Sequence, residues 1–186
     1  MIAAALSTFS AQVHGKVILV DGDLRKPALS RMFFPKVPGL MEVLLGQQSL
    51  EKTILKGPAG SNLHVLPAGN TRLSDTSEIL AGDAMRTLMQ VLRIKYEYVI
   101  IDLSPLAPVV DVRATARFVD HYIYVVEWGR TKTEVVQQAL KEAPDIHNKV
   151  LSVALNKIKV NAFARYEGYR AEYFRNKYFS DYGYSD

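Results

Sequence analysis

Short apolar runs alternate with longer amphipathic stretches along this chain, and several of the runs end on a polar residue. Residues 17–20 read as a buried strand that stops at Asp21, Gly22 and Asp23. Residues 98–101 form a second such run and stop at Asp102. Residues 63–66, 121–126 and 150–155 predict three more strands, the last followed by Asn156 and Lys157. Between them, residues 2–12 combine helix formers with an apolar face of Ile2, Leu6, Phe9 and Val13. Short helical turns are expected in residues 28–34 and 40–46, with Gly46 closing the second, and Ser49 is placed to cap another. Thr76 or Ser77 caps a helical region that runs to about Tyr96 and breaks near Gly82. Helices follow over 109–118 and 131–143, the second stopping before Pro144. Strands alternating with helices predict an α/β fold with a mainly parallel sheet, whose ligands sit at the strand C-termini.

Length and composition narrow this picture without changing it. The 186 residues suit one α/β domain over 1–160, and 48% hydrophobic with 23% charged residues is ordinary for a globular protein. Residues 161–186 depart from that composition: they hold six of the ten tyrosines, Tyr166, Tyr169, Tyr173, Tyr178, Tyr182 and Tyr184, and read as a separate tail. The net charge of +4 is mild and points to no nucleic-acid partner. The absence of cysteine excludes disulfides, thiolate catalysis and Cys-based zinc sites. His14, His64, His121 and His147 are scattered without ligand spacing. No apolar run approaches the roughly 20 residues that span a bilayer, and the start lacks a charged leader region. The chain reads as cytoplasmic.

Two strands that each deliver carboxylate at a C-terminal end are suited to a magnesium nucleotide, because Mg²⁺ takes oxygen ligands and keeps several waters. Asp102 suits a carboxylate that holds one of those waters. Arg25 and Lys26 steady phosphates or hold a neighbour. Each residue has a plainer alternative. An aspartate after a strand caps the next turn, Arg25 and Lys26 are solvated charge, and Asn156 is a strand-end turn residue.

The motifs together resemble a family. VILVDGDLRKP over 17–27 resembles the Walker A′ motif of the bacterial tyrosine kinases, and YVIIDLSP over 98–105 resembles their Walker B strand. TSEIL, PVVDVRATARFVDHYIYVVEWGRTK, LNKIK and RYEGY follow the family's order. The resemblance covers nearly the whole chain. It implies a three-layer α/β P-loop NTPase fold of the MinD/ParA-like group, with ATP and Mg²⁺ as ligands. It also implies tyrosine phosphorylation of the tail, Tyr166 to Tyr184, in trans within a homo-oligomer. The implied role is regulation of exopolysaccharide or capsule synthesis and export, at the inner face of the bacterial inner membrane. The implied partner there is the cytoplasmic end of a membrane polysaccharide co-polymerase. On this resemblance Asp21 orients or deprotonates a tyrosine hydroxyl and touches the metal's water shell. Asp23 supports that shell, Asp102 holds a metal water, Arg25 contacts phosphate and Asn156 contacts the adenine.

One departure is large. A Walker A loop needs glycines, a lysine and a serine or threonine, so that backbone N–H groups wrap the phosphate. No such run occurs here: Gly15-Lys16 runs into a strand, and Gly57-PAGS has no lysine after it. Against the family pattern, the chain reads as truncated before residue 1, lacking the first strand and its phosphate loop. Impaired ATP affinity and turnover are expected on that reading. Two other readings remain: a non-catalytic interaction module that offers its tyrosines to a complete kinase, and a MinD/ParA-type ATPase.

Overall fold

The computed structural model describes residues 1–13, 15–70, 75–107 and 111–159. The six tail tyrosines lie outside the described residues. The chain divides into two compact units, Met1–Asp120 and His121–Asp186.

The first unit is built on a four-stranded sheet in the order β2-β3-β1-β4. Here β1 is Val17–Asp21, β2 Leu55–Lys56, β3 Leu63–Leu66 and β4 Tyr98–Asp102. β1 pairs in parallel with β3 on one side and β4 on the other, while the two-residue β2 pairs antiparallel with β3. Every residue of β1 is buried, as a central parallel strand requires. Successive side chains alternate in direction, so Ile18 and Val20 join one apolar layer while Val17 and Leu19 join another. The first layer contains Leu40 and Met41 of α3 (Leu40–Leu44), Leu80 of α5 (Thr76–Ala81), and Met85, Leu88 and Leu92 of α6 (Asp83–Lys95). The second contains Ala11 of α1 (Ile2–Val13) and Leu29 of α2 (Ala28–Phe33). This unit therefore has helices on both faces of its sheet.

The face of α1 differs from expectation. Its buried residues are Ser7, Ser10 and Ala11, whereas Phe9 and Val13 are 62% and 60% exposed. Small side chains let the helix lie close to the sheet, and Ser7 satisfies its hydroxyl by donating to the Ala3 carbonyl at 2.7 Å. The caps also differ. Ser49 occupies the expected N-cap position of α4 (Leu50–Thr53) but makes no side-chain capping bond. Asp75, not Thr76 or Ser77, occupies the N-cap position of α5. α3 is capped from within: Glu42 accepts the Gly39 N–H at 2.7 Å and the Asn70 N–H at 2.9 Å. The helix expected over 109–118 is a short α7 (Asp111–Ala114) continued by a 3₁₀ turn over Thr115–Arg117, and its first two residues lie outside the described ones.

The second unit pairs β5 (Tyr122–Glu127) in parallel with β6 (Val150–Asn156), joined through α8 (Thr133–Lys141) and α9 (Pro144–His147). Pro144 opens α9 rather than merely ending α8, because a proline at the first helical position forfeits no needed N–H. Among the described residues no helix is long and apolar enough to cross a membrane.

Candidate functional site at the ends of β1 and β4

The ladder between β1 and β4 runs from Val17↔Tyr98 to Asp21↔Asp102. Each aspartate is thus the last residue of its strand, one place further along than the apolar run alone predicts. Gly22 then donates its N–H to the Asp102 carbonyl at 2.8 Å and extends the pairing. A side chain at position 22 would stand 2.9 Å from Ile101 Cγ2 and 3.1 Å from the Asp102 carbonyl. Glycine is required there for close approach of the two strand ends.

Asp21 is fully buried. Its Oδ2 accepts the Ser30 N–H at 2.8 Å and the Ser30 hydroxyl at 2.6 Å, while Oδ1 accepts the Asp23 N–H at 3.3 Å. Burial raises its pKa, and the Ser30 bonds oppose that rise without cancelling it. Asp102 is half-buried, and among the described residues its carboxylate has no hydrogen-bond partner. Burial, then the charges of Asp21 and Asp23, raises its pKa, partly offset by the positive amino end of the chain at α1. Asp23 Oδ1 accepts the Ser104 hydroxyl at 2.8 Å and the Lys26 N–H at 3.0 Å, which ties the loop after β1 to the loop after β4.

Arg25 is turned onto a carboxylate rather than left free. Its Nε and Nη2 donate to Oδ2 and Oδ1 of Asp111 at 2.8 and 3.0 Å, and Thr76 donates its hydroxyl to the same carboxylate at 2.6 Å. Asp111 and Thr76 are each only 1% exposed. Burial pushes the Asp111 pKa up, but the Arg25 pair and the Thr76 bond outweigh it, and the net shift is downward. The sequence alone gives Asp111, Ser30 and Ser104 no role, and gives Thr76 only that of a helix cap. The available signal was an aspartate directly after two valines, a place where an unpaired charge is costly.

Asn156 belongs to the second unit. It ends β6, its side-chain oxygen accepts the Lys157 N–H at 2.9 Å, and its carbonyl accepts the Trp128 N–H at 2.9 Å. Lys157 has φ of +58°, and its ammonium bonds Glu127 at 3.1 Å. That geometry is the strand-end turn. A cleft of about 350 Å³ in this unit is lined by residues including Val126, Trp128, Val136, Val153 and Leu155.

Among the described residues no group of three or more His, Asp or Glu side chains forms a ready metal cage. Two buried or half-buried carboxylates at neighbouring strand ends nonetheless fit a hard cation that retains water and takes other ligands from phosphate.

No protein-family model matches the sequence. The chain is 38% identical over 182 residues to the succinoglycan biosynthesis transport protein ExoP of Rhizobium meliloti (strain 1021), across 96% of its own length and 23% of ExoP's. It therefore spans less than a quarter of that relative. It is 30% identical over 168 residues to the tyrosine-protein kinase YwqD of Bacillus subtilis (strain 168), across 90% of its own length and 70% of YwqD's. The chain belongs to the bacterial tyrosine-kinase family of exopolysaccharide and capsule biosynthesis. Among solved structures, the VpsO kinase domain aligns with this family member at a TM-score of 0.77 and 31% identity, over 84% of this chain and 77% of that one. A MinC:MinD complex of Aquifex aeolicus aligns at a TM-score of 0.68 and 20% identity, over 88% and 65%, a likeness of fold alone. The fold is that of the MinD-like P-loop NTPases, α/β with a mainly parallel sheet.

Proposed function

We propose that this chain carries the aspartate-bearing part of an ATP-dependent tyrosine kinase that phosphorylates tyrosines of its own tail in trans. The observation that supports this most directly is the registered pair Asp21 and Asp102 at the C-terminal ends of adjacent parallel strands. Bound Mg²⁺·ATP supplies the phosphoryl group and the charge neutralisation that its transfer requires. Asp102 accepts hydrogen bonds from the water shell of the cation. Asp21 orients the incoming tyrosine hydroxyl and takes its proton through Oδ1, a role suited to a carboxylate whose pKa is raised by burial. Asp23 braces the two loops through Ser104 and Lys26. Arg25, held on Asp111, stands as a secondary phosphate contact.

The 186 residues contain no glycine-rich run ending in Lys-Ser or Lys-Thr. Turnover by these residues alone is expected to be low, because no backbone loop among them wraps a phosphate. The acceptors are Tyr166, Tyr169, Tyr173, Tyr178, Tyr182 and Tyr184. Adding about two negative charges at each loosens the homo-oligomer by repulsion. The activating partner is the cytoplasmic end of a membrane polysaccharide co-polymerase, which holds the kinase at the inner membrane face.

The test supplies an apolar strand and a Gly-Lys-Ser/Thr phosphate loop ahead of residue 1 and maps phosphotyrosine by mass spectrometry after incubation with Mg²⁺·ATP. Tail phosphotyrosine that disappears in Asp21→Asn supports the proposal. ATP hydrolysis without phosphotyrosine supports a MinD-type ATPase instead. Phosphorylation only when an intact kinase is added reduces the chain to a phosphoacceptor.

A further inference from the structure

The two oxygens of the Asp21 carboxylate are held very differently. Oδ2 receives two short bonds from one residue, the Ser30 N–H at 2.8 Å and the Ser30 hydroxyl at 2.6 Å. Oδ1 receives one long bond, the Asp23 N–H at 3.3 Å. Ser30 lies in the first turn of α2 and is 5% exposed. Its own Oγ accepts the Ala68 N–H at 2.8 Å, from the segment that follows β3. A hydroxyl has one proton and two lone pairs, so this acceptance directs the single proton to Asp21. Three elements, β1, α2 and the segment after β3, thereby meet at one buried hydroxyl.

We infer that Ser30 is the positioning residue of the phosphotransfer site: it saturates Asp21 Oδ2 and leaves Oδ1 as the oxygen that faces the metal's water shell and the substrate. The inference rests on the reading of Asp21 given above. A carboxylate without this lock swings about its terminal torsion, which is soft, and offers either oxygen. With it, the reactive oxygen is fixed before anything binds, which is the kind of preorganisation that supporting hydrogen bonds provide around metal-site carboxylates.

The experiment titrates Mn²⁺ into the full chain in the presence of ADP and follows free Mn²⁺ by electron paramagnetic resonance. Ser30→Ala is expected to weaken Mn²⁺ binding about tenfold, the size of effect typical for a hydrogen bond to a charged group. Ser30→Thr, which keeps the hydroxyl, is expected to stay within about twofold. In the Asp21→Asn background Ser30→Ala is expected to add almost nothing, because the two act as one unit. A full additional loss in that background would show that Ser30 acts through general structure and would overturn the inference. So would wild-type binding in Ser30→Ala beside weakened binding in Asp21→Asn. If Asp21→Asn itself leaves Mn²⁺ binding unchanged, the metal reading of Asp21 fails first, and the two failures are told apart. Ser30→Cys, a weaker donor of similar shape, replaces Ser30→Ala if the alanine variant does not fold by circular dichroism, with an intermediate loss expected.

Discussion

Asp21 and Asp102 end neighbouring strands at the same register position, yet their surroundings are opposite. Asp21 is fully buried and clamped by Ser30, whereas Asp102 is half-buried, and its carboxylate lacks a hydrogen-bond partner among the described residues. The strands differ in the same sense. β1 is flanked on both sides and buried throughout, while β4 pairs only with β1 among the described residues and is exposed at Tyr98. The difference teaches that two nearly identical motifs, VILVD and YVIID, carry separate duties. One holds its carboxylate in a single orientation, and the other, on the function proposed above, presents one to a hydrated cation.

The sharpest way to break this comparison is to neutralise each aspartate in the phosphorylation assay. Asp21→Asn and Asp102→Asn are each expected to lower tyrosine phosphorylation by about 10²-fold or more. The metal requirement should separate them. Raising Mg²⁺ should recover part of the Asp102→Asn loss and none of the Asp21→Asn loss. Equal recovery would erase the proposed division.

The strands themselves give the next largest contrast. Ile18 of β1 is 0% exposed, and Ile18→Ala should cost about 3 kcal/mol in urea denaturation. Ile100 of β4 is only partly buried, and Ile100→Ala should cost about 1 kcal/mol. Equal costs would mean that β4 is as enclosed as β1. A smaller effect has the opposite sign. Asp102 carries a raised pKa, so at neutral pH its charge works against the metal-free fold. Asp102→Asn should therefore raise the melting temperature measured in a chelator, even as it lowers phosphorylation in the assay above.

The smallest effect belongs to Asp111. Its folded pKa is lowered, so its contribution to stability is complete above the ordinary value of 3.8 and is lost as pH falls through the lower folded value. Asp111→Asn should flatten the acid limb of unfolding followed by circular dichroism. An unchanged limb would show that the Arg25 pair adds nothing.

These contrasts also mark what was legible in the chain. A run of four apolar residues closed by an aspartate reveals a buried strand and the end at which chemistry gathers, so β1 and β4 were readable. Their joint register was not, because it depends on pairing between segments far apart in sequence. β2 has two residues, Leu55 and Lys56, too few for any periodicity to show. The face of α1 misled because large apolar side chains outrank small ones in a pattern, whereas close packing selected Ser7, Ser10 and Ala11. Asp111 and Ser30 were overlooked for another reason. Each looks like an ordinary polar residue until the fold brings up a partner, Arg25 for the one and Asp21 for the other.

The buried Glu42 carboxylate, bonded to the amides of both Gly39 and Asn70, makes two distant segments into one mechanical unit. In deuterated solvent these amides can trade their protons only when that single carboxylate lets go. Their exchange should consequently rise and fall together across temperature and denaturant, a shared clock for the opening of this corner of the molecule.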